Sequence, residues 1–349
     1  MFRALLVLTQ FIYFSHSLVS PFFRQWHCIG LKENIDFSKP YVTNIGDLPL
    51  VVWKNNDQYS TTVNICKHMG SKLDNSEVTS SGCLKCPYHG LEYVPSNTFG
   101  ETVEFQGKLF WAYKPEHPTP YRIPFYDNPN YVHSVIQIDM FCSLQDSAYN
   151  TMDLFHPAYV HNNLFGFGST IPPENIKTHT YPSKDDMIGL SFEYASRSIA
   201  VNLDDVSSVF ARSQSKRFKL TDNFNMFVYP TFGWSRVTTE KNNLVIGVNF
   251  QPIGPKRTRW YVTVCHNYYK NPIQKRFIKA MAASILSQDF VQMIKQYFEN
   301  KLKKELMFSY KLEKEDVVVR MNEWFNNNYE YPNLEQCVEL YKDYKHETK

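Results

Sequence analysis

Two short runs, ICKHMG at residues 65–70 and CPYHG at 86–90, constrain this chain more than any other part of it. Each couples one Cys to one His: Cys66 with His68, then Cys86 with His89. The pattern is C-x-H, seventeen residues, C-x-x-H. Two loops that each present one thiolate and one imidazole can grip a single compact inorganic centre. Gly70 and Gly90 end the loops, where a close backbone approach is expected, and Pro87 stiffens the second. Two Cys and two His are a donor set for structural zinc, but zinc-finger ligands stand two to five residues apart, not one. The other candidate is a 2Fe-2S cluster with both thiolates on one iron and both imidazoles on the other. The chain has seven Cys over 349 residues, an odd and scattered set that argues against a disulfide framework.

This four-residue pattern resembles the Rieske iron–sulfur family. Cys83 forms CLKC with Cys86 but lies outside the family pattern and reads as structural. Respiratory Rieske proteins carry a further Cys in each loop, joined in a disulfide. Ser71 and Tyr88 occupy those positions here, so the resemblance is to the oxygenase and ferredoxin branch. Leu91 departs from it, since oxygenases usually have Trp there.

The length suggests about two domains. Residues 1–20 (MFRALLVLTQFIYFSHSLVS) hold one Arg, an apolar run and then small residues. They read either as a leader or membrane anchor or as a packed N-terminal strand or helix. A cytoplasmic location follows from the second reading, a plastid or membrane-associated one from the first. Residues 21–114 read as a small all-β domain of short alternating runs. Residues 115–130, with five prolines, read as a linker. Residues 131–349 form the second domain: a helix near 144–162, strands near 187–194, 244–251 and 258–266, and a long amphipathic helix over 272–306. That helix is expected to bury Ile273, Phe277, Ala280, Ile285, Phe290, Met293, Ile294 and Phe298. A net charge of +3, without a dominant basic run, is too balanced to signal a nucleic-acid-binding face, and no nucleic-acid partner is expected.

A Rieske ferredoxin needs only the first domain, and the second holds YNTMDLFHPAYVHNN, with Asp153, His156 and His161. On an ideal helix His156 lies about 60° to one side of Asp153 and His161 about 80° to the other. Pro157 removes the amide that would bond the carbonyl of residue 153, permitting a kink that brings both rings onto one atom. Two His and a carboxylate form the facial triad of mononuclear non-haem iron. The spacing D-x-x-H-x-x-x-x-H resembles the Rieske non-haem iron oxygenases, in wording closest to the monooxygenase and O-demethylase branch.

That resemblance runs from about Phe22 nearly to the end, with two motifs in the family's order. It implies an α+β architecture: an N-terminal all-β Rieske domain followed by a helix-grip domain, an antiparallel sheet around a long helix. It implies His156 and His161 as iron ligands and Asp153 as the bridge to the Rieske histidine of a neighbouring subunit, hence a homotrimer. The family takes its third ligand from a late helix. Asp289, a lone carboxylate among apolar residues, is the choice, with Glu299 as substitute. Asn150 sits beside the iron in this match. The implied cofactors are a Rieske 2Fe-2S cluster, mononuclear Fe(II) and O2 as co-substrate. A reductase or ferredoxin supplies electrons, with NAD(P)H acting only through it, because the chain has no flavin or dinucleotide fingerprint. His27, His133, His179 and His266 lack such company and read as core or surface.

The implied activity is mono- or dioxygenation of an apolar ring-containing molecule, an aromatic ether, chlorin or sterol. Aromatics make up 16% of the chain; residues 164–167 and the run FNMFVYPTFGW (224–234) are the expected pocket walls. Two other readings stand beside it: an electron carrier with an inactive second domain, and a zinc-stabilised ligand-binding protein.

Overall fold

The computed structural model describes residues 20–161, 173–181, 189–199, 218–238, 242–297, 323–325, 327 and 331–347. Residues 1–19 of the N-terminal segment, the expected pocket wall 164–167 and Glu299 lie outside them. The chain forms two compact units. One holds the described residues of 1–104, 109–118 and 331–349, the other those of 105–108 and 119–330.

The described residues of the first unit are all β apart from 3-10 turns and one C-terminal helix. Strands β1 (His27–Leu31), β9 (Lys108–Ala112) and β8 (Glu101–Phe105) form one sheet, and β2 (Tyr41–Ile45), β3 (Leu48–Asn55) and β4 (Gln58–Val63) a second. The third is a miniature sheet of β5 (Glu77–Val78), β6 (Leu84–Lys85) and β7 (Glu92–Tyr93). Its pairing, Leu84 with Tyr93 and Lys85 with Glu92, makes residues 86–91 the tip of a hairpin. Beneath it Val51, Trp53, Cys66, Leu73, Leu84, Cys86 and Tyr93 pack as one buried cluster, with Leu91 against its edge. Trp53 satisfies its indole N–H on the Gly82 carbonyl (3.0 Å), so a large ring is buried without stranding a donor.

The C-terminal helix, residues 334–347, was expected to belong to the second domain but packs in the first unit. Leu340 and Cys337 are buried, and the Tyr344 ring meets Phe99 edge-on at 5.1 Å. Tyr344 donates to Asn97 Oδ1 (2.8 Å), while Asp343 accepts from Tyr113 (2.9 Å) and Lys114 (2.8 Å). Sequence order misleads because these partners lie some 230–247 positions upstream.

The second unit is built on a seven-stranded antiparallel sheet. Its order is β10 (Val132–Met140), β16 (Arg257–His266), β15 (Asn243–Gly254), β14 (Phe232–Thr238), β13 (Phe218–Val228), β12 (Gly189–Ile199), β11 (Glu174–Tyr181). Alternation along each strand sends successive side chains to opposite faces. On one face Leu190, Phe227, Phe250 and Trp260 are neighbours across paired strands. On the other, Val228, Phe232, Val245 and Cys265 cluster with Ile123. The aromatic run 224–234 is therefore no continuous wall: Asn225 and Phe227 face the helices, whereas Phe224, Val228, Phe232 and Trp234 face away.

The proline-rich stretch is likewise split. The unit boundary falls after Pro118, and Ile123 is buried on the sheet's second face. A Cβ on Gly247 would stand 2.7 Å from the Ile123 side chain, which is why glycine occupies that strand position.

Helix α1 (Leu144–Met152) starts at a capping box, Ser143 and Asp146 each bonding the other's backbone N–H. It docks on the sheet through Trp260 Nε1 to Ser147 Oγ (2.9 Å) and Asn225 Nδ2 to the Thr151 carbonyl (3.3 Å). The short α2 (His156–Val160) follows, and the long α3 (Pro272–Tyr297) lies against β10 and α2. Its buried line is Ile278, Leu286, Asp289 and Met293, one stripe at helical spacing. Ile273, Phe277 and Ala280 are exposed, contrary to expectation, since apolar residues surround this helix and the sheet covers only one side. No described helix is long and apolar enough to cross a membrane.

Candidate functional site

The first unit presents Cys66, His68, Cys86 and His89 on two loops with the same backbone hydrogen bonds. Cys66 N–H donates to the carbonyl of Ser71 (2.7 Å) and Gly70 N–H to that of Cys66 (2.8 Å); Cys86, Leu91 and Gly90 repeat this at 2.8 and 3.0 Å. The closing glycines have φ of +75° and +74°. A Cβ at Gly70 would meet nothing within 4 Å and at Gly90 only the Lys85 side chain at 3.6 Å, so glycine serves the left-handed turn, not the close approach expected from sequence.

Both thiols are buried and unpaired by disulfide, while both imidazoles are exposed with ring centroids 4.8 Å apart. Burial opposes ionisation of Cys66. Hydrogen bonds from the Tyr93 hydroxyl, the backbone N–H groups of His68 and Met69 and the Cys86 thiol outweigh it, and the pKa falls below the ordinary thiol value. Tyr93 also accepts from Lys67 N–H (2.8 Å), tying β7 to the first loop. Two buried sulfurs behind two facing imidazoles, cradled by amide donors, fit a centre with one thiolate-held and one imidazole-held metal. Cys83 closes a turn through Thr79, its N–H donating to the Thr79 hydroxyl and its carbonyl accepting from Thr79 N–H.

The second unit brings His156, His161 and Asp289 together, with one ligand atom from each inside 4.8 Å. Asp289 Oδ1 lies 3.6 Å from His156 Nε2 and 3.2 Å from His161 Nε2. The helix expected over 144–162 is two helices broken at residues 153–155. Asp153 ends α1, and its Oδ1 accepts from the N–H groups of Phe155 (2.8 Å) and His156 (3.3 Å), turning the chain. Pro157 works as its chemistry dictates: the carbonyl of residue 153, deprived of an amide, accepts His156 Nδ1–H at 2.9 Å. That bond directs Nε2 towards Asp289.

Asn150 donates to Asp289 Oδ1 at 3.3 Å. Burial alone would raise the Asp289 pKa, but the two histidines hold it down at about 2. Burial likewise opposes protonation of His156, yet the carboxylates of Asp289 and Asp153 raise its pKa. A buried anion facing two imidazole Nε2 atoms is a site made for a cation, and two imidazoles with one carboxylate suit non-haem iron. Sequence reasoning missed Gln288, whose Oε1 lies 2.9 Å from His161 Nδ1, and Asn225, which bonds the Thr151 carbonyl and accepts from Tyr194 (3.2 Å). The adjacency of Gln288 to Asp289 was its one signal.

A family model described as the Rieske [2Fe-2S] domain matches residues 25–108. Among curated proteins, the oxygenase component of 3-ketosteroid-9-alpha-monooxygenase from Rhodococcus rhodochrous is 32% identical over 117 residues, 28% of this chain and 30% of that protein. Chloroplastic pheophorbide a oxygenase from Oryza sativa subsp. japonica is 29% identical over 70 residues, 20% of this chain and 13% of that protein. The chain thus spans less than half the length of the curated relatives it matches. Likeness of fold extends further. Dicamba monooxygenase bound to 3,6-dichlorosalicylic acid superposes with a TM-score of 0.68 at 15% identity, over 87% of this chain and 96% of that one. NdmA of Pseudomonas putida CBB5 gives 0.67 at 14%, over 87% and 89%. The thiolate–imidazole loops fall inside the matched domain, and the imidazole–carboxylate triad lies beyond it. The chain carries a Rieske [2Fe-2S] domain, and its fold is shared with dicamba monooxygenase and NdmA.

Proposed function

We propose that this protein is an O2-dependent oxygenase acting on an apolar, ring-containing molecule, with His156, His161 and Asp289 holding mononuclear iron. The observation that carries it is the buried triad inside 4.8 Å in a chain that also bears a Rieske domain. When bound, the cluster supplies single electrons and the iron supplies open coordination positions for O2 reduction. This chain's own residues hold and orient. His156 Nε2 is aimed by the Nδ1–H bond to the carbonyl of residue 153, and Asp289 stays ionised at any working pH. Asn150 steadies the Asp289 oxygen that faces both rings.

Asp153 is the bridge for electrons. Its Oδ1 is engaged by two backbone amides, while its side chain remains a third exposed (33%) and Oδ2 lies 3.8 Å from His156 Nδ1. That free edge suits an N–H donor from an exposed Rieske imidazole, His68 or His89, of a second copy, in keeping with the homotrimer that the family resemblance implies. A separate reductase or ferredoxin loads the cluster. The buried Phe192, Phe227, Phe250 and Trp260 on the helix-facing side of the sheet support an apolar ring-containing substrate. The named relatives, a ketosteroid and a pheophorbide oxygenase, agree with that class.

The test is metal and sulfide analysis of anaerobically purified protein with electron paramagnetic resonance after reduction. The expected result is about three irons and two sulfides per chain with a Rieske signal. Two irons that added ferrous ion does not raise to three would indicate an electron carrier; zinc without sulfide would overturn both centres.

A further inference from the structure

Two consecutive side chains of α3 straddle one imidazole. Asp289 Oδ1 lies 3.2 Å from Nε2 of His161, and Gln288 Oε1 lies 2.9 Å from Nδ1 of the same ring. An amide oxygen only accepts, so Nδ1 donates to Gln288 and Nε2 is the nitrogen left facing Asp289. His161 Nε2 is therefore set by Gln288 as His156 Nε2 is set by the carbonyl of residue 153. The supports differ in origin: one is local backbone, the other a side chain 127 residues away in sequence. His161 is also the more deeply buried ring, at 4% side-chain exposure against 17% for His156, so water does not substitute readily for the amide.

We infer that Gln288 is the positioning residue of the metal site, selecting the tautomer and plane of His161 and coupling ligand geometry to the docking of α3. This rests on the reading of the triad as a metal site. Partners of ligating histidines fix ring orientation and basicity, and losing one typically costs 10–100-fold in metal affinity. A neutral amide partner, rather than a carboxylate, also leaves the ring less electron-donating, which favours the ferrous state.

The probe is Co(II), added to cluster-loaded protein stripped of its mononuclear iron, with the cluster oxidised. Visible absorption follows binding, and proton resonances shifted by Co(II) report ring N–H groups that exchange in D2O. Wild type is expected to bind one Co(II), abolished in His156→Ala, with two slowly exchanging ring N–H signals. Gln288→Leu should weaken binding 10–100-fold and make one of those signals exchange rapidly, leaving the other unchanged. Gln288→Glu should restore both affinity and signal, and should lower the Fe(III)/Fe(II) potential of the iron-loaded protein. Wild-type affinity with both signals retained in Gln288→Leu would overturn the positioning role, as would failure of Gln288→Glu to rescue. Absence of Co(II) binding in wild type, or its survival in His156→Ala, would overturn the metal reading itself.

Discussion

The two centres are assembled in opposite ways. Each Rieske loop is closed within six residues by its own backbone, twice over with the same bonds, and lifts its histidine into solvent above a buried thiol. The triad is framed locally only at His156. Its ligand atoms come from a helix end, a helix cap and a distant helix, and Asp289 is brought in only because α3 packs against α2 and β10. Loops closed by short-range bonds survive changes elsewhere, whereas a site spread over three elements depends on how those elements dock.

The sharpest break of the comparison is to remove one donor at a time. His156→Ala should abolish oxygenation and mononuclear iron while leaving the Rieske signal at full intensity. Cys66→Ser should do the converse, losing the cluster while the triad still takes up Co(II). Loss of both centres in either variant, read by metal analysis and paramagnetic resonance, would show that they are not independent. Next in size, Asp153→Ala should retain both metals yet slow electron transfer from cluster to iron at least 100-fold in a single-turnover assay. Unchanged coupling would remove the bridge.

A third test separates the units by acid. His27 is fully buried in the first unit, with Nε2 donating to the Phe22 carbonyl, and burial lowers its pKa from 6.5 to about 4. Because the folded form keeps this ring neutral, its contribution is complete above pH 6.5 and is lost as pH falls towards 4, on the order of 3 kcal/mol in all. Chemical denaturation from pH 7.5 to 4 should show the first unit losing stability over that window, and His27→Leu should flatten the profile.

The smallest effect tests the likeness of the two loops. Gly70 and Gly90 share φ within one degree, and neither has a crowding neighbour. Alanine at either should cost about 1–2 kcal/mol from the left-handed backbone alone. A thermal-shift measurement showing one substitution far worse than the other would mean that the loops are not equivalent.

Legibility followed sequence distance. The spacing of Cys66, His68, Cys86 and His89 could be read directly because each loop's bonds lie inside it. Pro157 could be read as freeing a carbonyl, since proline chemistry is local. The break between α1 and α2 was harder: it is made by the Asp153 side chain turning back on the backbone, and a helical wheel carries no such information. Asp289 was legible as a charge out of place in an apolar stretch, but Gln288, an ordinary polar residue there, was not. The exposed start of α3, the split of the 224–234 run between two faces and the seating of Ile123 over Gly247 depend on what the sheet covers.

The order of residues along the chain sets the chemistry on offer: two thiolate–imidazole loops, an Asp–His–His segment and one misplaced carboxylate. Tertiary structure alone decided which atoms meet. It set His161 between Asp289 and Gln288, and it returned the last helix to the first unit, where Asp343 and Tyr344 find partners. The physical reason is range. Backbone bonds and φ preferences act over a few residues and can be read along the chain, whereas burial acts through space and joins residues more than a hundred positions apart.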